Sequence, residues 1–326
     1  MQKARFGRTD LQVSRLTFGC GAVGGLMVKG SATDQDNAIA WARDNGINFF
    51  DTAASYGDGV SETNLGRALN GNSDGLVIGT KVGLTKQDLD DVAGAVSASL
   101  DKSLSRLKLD HVDLFQLHNT IKTSDEPRAV SADFVLAEVI PAFEKLRDAG
   151  KVRFFGFTAN GDTDQLHQLV ASDAFDSGQI FYNLLVPSAG GPQPAGHVAQ
   201  DYRELLSAAD KHGVGAIGVR VLAGGALSGK EDRHPMGMQS VAPIGSETDY
   251  ATDVQHALKF QPLIDAGFAS SLPELAIRYV ISNPSLPTTE IGIATLDEFQ
   301  QATQAVNRGS LPSEALELIQ TIQAGN

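Results

Sequence analysis

At 326 residues, with 42% hydrophobic and 20% charged content, the chain is long enough for two average domains or one large α/β barrel, and too apolar to be disordered. A net charge of −13 with no basic run excludes a nucleic-acid surface, which needs clustered Lys and Arg. The single cysteine, Cys20, excludes an intrachain disulfide. No run approaches the ~18 apolar residues of a membrane span, and Met1–Phe6 lacks a signal-peptide core, so the expectation is a cytoplasmic protein.

Arg5 to Val13 reads as a short hairpin turning at Arg8-Thr9-Asp10. Beyond it, eight short β-branched or aromatic runs have the length of strands: Leu16–Phe18, Asn48–Phe50, Leu76–Gly79, Val112–Leu117, Val152–Phe157, Gln179–Tyr182, Val214–Val219 and Thr289–Ile293. Helical patterns alternate with them. Asp34 is placed to cap a helix reaching Asn45, with Ile39 and Ala42 on one side and Gly46 ending it. The next begins at Ser61, with Leu65, Ala68 and Leu69 at helical spacing. Asp88–Leu107, Leu136–Ala149, Asp164–Ala171, Asp201–Lys211, Ser271–Ser282 and Leu296–Asn307 complete the set, and Pro312–Ile322 adds one more.

Eightfold strand–helix alternation predicts a (β/α)8 barrel over 1–326, with an N-terminal hairpin and an extra C-terminal helix. No linker or repeat divides it. Two long loops, Leu184–Gln200 and Leu227–Phe260, are expected to serve the binding face.

Asp51 closes the second strand, Tyr56 follows in its loop, Lys81 ends the third and His118 follows the fourth, so four ionisable groups converge on the catalytic rim of a barrel. Their types suit carbonyl reduction. A tyrosine with an ordinary pKa of roughly 10 is a reluctant proton donor; a lysine cation would lower that pKa, and Asp51 would hold the lysine. His118 would donate a hydrogen bond to the carbonyl oxygen. Each residue alone has a structural explanation: a helix cap, a loop aromatic, a strand-end lysine, a hydrogen-bonded histidine. Together they make a proton-transfer unit.

The tetrad resembles that of the aldo-keto reductase superfamily in order, spacing and strand position, and the likeness runs along nearly the whole chain. Gly156-Phe157-Thr158-Ala159-Asn160 and Gln179-Ile180-Phe181-Tyr182-Asn183 resemble the family's nicotinamide-holding segments, which implies Thr158, Ala159 and Gln179 as contacts. Leu222-Ala223-Gly224-Gly225-Ala226-Leu227 resembles the loop that covers the pyrophosphate, adding Leu222 and Gly224. The last strand region, with Ala294, Thr295, Glu298 and Ala302, corresponds to the adenosine end. Asp51, Gly21 and Ala22 complete the implied cofactor set.

The chain departs from the family in several places. Ala159 replaces an Asn, Val219 stands where many members stack a tyrosine on the nicotinamide, and Arg220 takes a serine position from which it can pair with pyrophosphate. Ala294 and Glu298 stand where NADP-preferring relatives often carry Arg or Lys. The cofactor implied is therefore NAD(P)(H), leaning to NAD.

Gly19-Cys20-Gly21-Ala22-Val23-Gly24 spells G-x-G-x-x-G. No helix is expected to open at once, Gly25 to Ser31 reading as loop, so the run is taken as a glycine-rich loop for close ligand approach. The seven histidines show no zinc spacing. The expected partner is a small carbonyl or sugar substrate, with one family branch implying the galactose or other aldose class, and no nucleic acid or membrane. Two alternatives stay open: a barrel aldolase using Lys81 as a Schiff base, and a regulatory cofactor-binding subunit.

Overall fold

The computed structural model describes residues 1–325. Its eight parallel strands close in chain order: β1 (Leu16–Gly19), β2 (Phe49–Asp51), β3 (Val77–Val82), β4 (Val112–Leu117), β5 (Val152–Thr158), β6 (Ser177–Phe181), β7 (Gly215–Val219) and β8 (Thr288–Gly292), with β8 hydrogen-bonded back to β1. Parallel neighbours need crossovers, and helices supply them on the outside. These are α1 (Ala32–Asp44), α2 (Val60–Leu69), α3 (Val92–Leu107), α4 (Ile140–Asp148), α5 (Thr163–Ala171), α6 (Leu205–Lys211), α7 (Leu272–Ile281) and α8 (Leu296–Arg308); α9 (Ser313–Gln323) follows. The expected (β/α)8 barrel with hairpin and extra helix is the observed fold. The hairpin pairs Lys3–Arg5 with Gln12–Ser14.

Two cores divide the interior. The larger lies between the sheet and the helices, where Phe18, Phe50, Phe115 and Phe155 meet Phe299 and Phe143. The smaller plugs the strands' N-terminal end with Phe6, Leu11, Val13, Phe49, Val77, Leu114 and Ile217. Side chains alternate across a strand, so Phe49 and Asp51 point into the same lumen. Register aligns Gly19, Asp51 and Gly79 across β1 to β3. A Cβ at Gly79 would lie 3.0 Å from Asp51 Oδ1, so glycine there makes room for the carboxylate.

Several boundaries differ from the sequence expectation. β3 continues to Val82, because Lys81 pairs in register with Gln116 of β4 rather than ending the strand. Ser31, not Asp34, caps α1, accepting from the Asp34 amide. Asp91 caps α3, after a separate single turn at Lys86–Asp90. The helix expected from Leu136 opens earlier, at Ala132, through a π-turn at Val135–Val139 into α4. Leu26–Lys29 forms one helical turn where loop was expected.

The two long loops part company. Leu184–Gln200 does not serve the binding face. Leu184 to Ala189 are buried, and the Leu184 carbonyl accepts from Gln323 of α9, so apolar packing claims this segment. The second loop contains a helix, Tyr250–Leu258. Buried Asp253 accepts from the backbone N–H groups of Ile244, Gly245 and Ser246, which ties the loop to its own helix.

Candidate active site

A cavity of about 1420 Å³ opens at the strands' C-terminal end. It starts over Tyr56 and His118, passes Val219–Leu222 and reaches Ala294 and Glu298 at the start of α8. Asp51 and Lys81 lie beneath its floor with fully buried side chains.

Strand geometry fixes this floor. Lys81 forms an ion pair with Asp51 Oδ2, and its Nζ donates to the Thr52 carbonyl at 2.8 Å and to Tyr56 Oη at 3.2 Å. Asp51 Oδ1 accepts from Gln116 Nε2 at 2.7 Å, and Oδ2 accepts from Gln179 Nε2 at 3.1 Å. Every oxygen of the buried carboxylate is thus occupied, which offsets its desolvation. Tyr56 is held by a short loop whose base is clipped by the Thr52 and Ser61 hydroxyls, 2.9 Å apart; Ser61 also donates to the Cys20 carbonyl at 2.9 Å. The Tyr56 and His118 rings meet edge to face, with centroids 5.8 Å apart.

The electrostatics refine the sequence expectation. Burial would strip the Lys81 proton, but Asp51, helped by Tyr56 and Glu290, outweighs it and holds the lysine above its ordinary pKa. Burial pushes the Tyr56 phenol up to about 12. Lys81 lowers it, as expected, and is the largest opposing influence, but burial outweighs that pull and the phenol keeps its proton. Burial also lowers His118 to about 3, with Lys81, Arg128 and Arg220 adding to the effect. A neutral imidazole donates a hydrogen bond rather than a proton, and its Nδ1 lies 3.4 Å from Ser55 Oγ.

Of the implied cofactor residues, the cavity wall includes Gly21, Ala22, Thr158 and Gln179 near the tetrad. Val219, Arg220, Leu222 and Gly224 follow along the middle, then Ala294, Glu298 and Ala302 at the far end. Ala159 is not on the wall; it is fully buried, and its neighbour Asn160 reaches the cavity instead. Thr295 does not line the cavity either, serving as the cap of α8 by accepting from the Glu298 amide. Glu298 Oε2 in turn accepts from the Ala294 amide at 2.8 Å. Arg220 adopts a left-handed backbone with φ 58°, its carbonyl held by Asn183 at 3.0 Å. Among the described residues no carboxylate lies within ion-pair distance of its guanidinium, which sits 5.8 Å from the Phe181 ring centre. Gly24 belongs to the glycine-rich loop: a Cβ there would strike the Ile293 backbone at 2.2 Å, so this loop abuts the end of β8 only through glycine.

Sequence reasoning missed Gln116, Glu290 and Arg128. The signal for the first two was present. Each is a long polar residue within a strand at the inward phase, Gln116 two before His118 and Glu290 in register with Thr17. Arg128, on the cavity wall, comes from an irregular loop where no period applies.

The sequence profile of the Aldo/keto reductase family matches residues 15–324. L-galactose dehydrogenase of Arabidopsis thaliana is 28% identical over 309 residues, covering 92% of this chain and 86% of that protein. The NADH-specific methylglyoxal reductase of Escherichia coli is 24% identical over 328 residues, 94% of each chain. An aldo-keto reductase from Bacillus halodurans in its holo form superposes with a TM-score of 0.73 at 24% identity, covering 99% of this chain and 96% of its own. No helix among the described residues is long and apolar enough to cross a membrane. With the profile spanning all eight strands and all four residues of the quartet, the chain belongs to the aldo/keto reductase family and is an oxidoreductase of that family.

Proposed function

We propose that the chain, as one barrel domain over 1–326, catalyses reversible hydride transfer between a nicotinamide dinucleotide and a small carbonyl compound or sugar, with Tyr56 as acid in reduction and base in oxidation. The carrying observation is the relay at the cavity floor, in which Tyr56 Oη accepts from a lysine that is itself pinned by a buried carboxylate. Lys81 stabilises the phenolate left behind when Tyr56 donates. Neutral His118 donates to the substrate oxygen and fixes its orientation. A Schiff base needs an unprotonated amine, and the cation-holding environment of Lys81 speaks against the aldolase alternative.

The cavity, of about 1420 Å³, has the volume and the donors for a dinucleotide. A bound nicotinamide would supply or take the hydride. Thr158 and Gln179 stand where its carboxamide would be held; Arg220, with no carboxylate partner among the described residues, suits the pyrophosphate. Glu298 at the far end would repel a 2′-phosphate, which supports NAD. The names of the two relatives make aldoses and 2-oxoaldehydes the substrate classes to try first. A single buried free thiol, Cys20, suits the cytoplasm as compartment.

The test is turnover of those classes with NADH and NADPH and their oxidised forms, in wild type and Tyr56→Phe. The variant is expected to lose on the order of a thousandfold in kcat while keeping cofactor affinity. Full activity of Tyr56→Phe would refute its role, and tighter NADPH binding would refute the reading of Glu298.

A further inference from the structure

Glu290 is a titratable group of the reaction chamber to which the tetrad chemistry gives no task. It comes from the middle of β8, in register with Thr17 of β1, and lines the cavity floor. Its carboxyl rests against Gly19: a Cβ there would lie 3.0 Å from Glu290 Oε1. Glu290 Oε2 accepts from Gln179 Nε2 at 2.8 Å, and the same nitrogen donates to Asp51 Oδ2 at 3.1 Å. Two carboxyls are therefore gathered around one amide nitrogen, above a single lysine.

Among the described residues Lys81 is the one cation in ion-pair contact with this carboxyl pair, Arg220 acting on it only from further off; one paired cation does not balance two carboxylates in an enclosed site, and like charges sharing a donor drive one of them to keep its proton. Asp51 holds the ion pair with Lys81 and the Gln116 hydrogen bond, whereas Glu290 has neither. The proton thus belongs on Glu290. The charged and titratable groups facing it are Cys20 after β1, Asp51 of β2, Tyr56, Lys81 of β3 and Arg220 after β7.

We propose that Glu290 is a positioning residue that carries a proton against Asp51 in the working enzyme, keeping Asp51–Lys81 a single neutral ion pair beneath Tyr56. Burial first, and then Asp51, push the Glu290 carboxyl up to about 8. Below that pH the chamber floor holds Asp51⁻, Lys81⁺ and neutral Glu290. Above it a second negative charge appears. That charge opposes phenolate formation on Tyr56, making it a poorer acid, so reduction slows as pH rises through about 8. The loss falls on kcat, since the substrate's own contacts are unchanged.

The rate consequence rests on the hydride-transfer reading; the protonation state does not, so two measurements separate them. The first is infrared difference spectroscopy of the wild-type protein against E290Q, without substrate. A protonated-carboxyl C=O band is expected in wild type near neutrality, lost as pH passes about 8 and missing from E290Q. No such band overturns the proposal whether or not turnover is found. Should E290Q fail to fold, the wild-type pH titration of the band decides alone. The second is the pH profile of reductive kcat. E290Q, a neutral mimic, is expected to stay within about threefold of wild type near neutrality and to move the alkaline fall upward by about one unit or more. An unmoved alkaline limb overturns the coupling to Tyr56.

Discussion

At the N-terminal end of the barrel, Phe49, Val77, Leu114 and Ile217 project inward and pack against Phe6, Leu11 and Val13 of the hairpin, with Phe6 and Phe49 edge to face at 5.8 Å. Two residues further along the same strands the inward positions are Asp51, Gly79 and Gln116, and two further still come Lys81 and His118. One lumen is therefore a hydrocarbon plug at one end and a network of buried charge at the other. The difference teaches how labour is divided. Apolar burial stabilises the barrel by roughly 1.5–3 kcal/mol per large side chain. A buried ion pair is close to neutral for stability, and here it lies beneath Tyr56, in hydrogen-bond contact with its hydroxyl. The plug also excludes water from below, so each charge above it must find a protein partner.

That contrast is testable by deleting one group from each end. Lys81→Met at the charged end should have the largest effect. It removes phenolate stabilisation, lowering kcat on the order of a thousandfold or more, and strands Asp51, at a stability cost of about 3–5 kcal/mol. Steady-state kinetics and urea unfolding read the two losses, and a variant keeping more than a tenth of wild-type kcat would sink the assignment. At the apolar end, Phe6→Ala should cost about 3–5 kcal/mol by opening a cavity in the plug. Its folded fraction should keep kcat within about threefold, as expected of a site that shares no partner with the chemistry. A comparable loss of kcat would mean that the two ends are coupled.

Smaller effects probe the charged end alone. Glu298→Gln keeps the capping geometry, since glutamine also serves at that position, and removes the charge at the end of the cavity proposed to take the adenosine. The ratio of NADPH to NADH affinity should rise about tenfold, equivalent to about 1.4 kcal/mol; an unchanged ratio places selectivity elsewhere. The last prediction concerns acid. His118 is held down at about 3 when folded, against about 6.5 in an unfolded chain. Between those values the unfolded state binds a proton that the fold refuses, so stability should rise with pH across this window and gain nothing further from His118 above it. Urea midpoints of wild type and His118→Asn should converge as pH falls towards 3, and parallel curves would show that His118 titrates normally.

The strand and helix order was legible because β-branched runs and 3.6-residue patterns are local. Val112–Leu117 was placed without error, and the remaining strands were missed by only one to three residues at an end. The tetrad was legible because each member sits at or beside the end of a strand, where chain order maps onto a circular rim. Loops were less readable. Leu184–Gln200 and Leu227–Phe260 share a Gly- and Pro-containing composition, but only the second reaches the cavity, a choice made by what packs behind each.

The sequence by itself determined the barrel, its hairpin, its outer helices and the four ionisable residues that meet at one rim, because period, length and order are properties of a chain. Only the tertiary structure decided their protonation. Tyr56 keeps its proton against the pull of Lys81, His118 stays neutral, and Glu290 joins Asp51 from the far side of the closed sheet. Burial and the through-space approach of β8 to β2 set those balances, and neither is written in residue spacing.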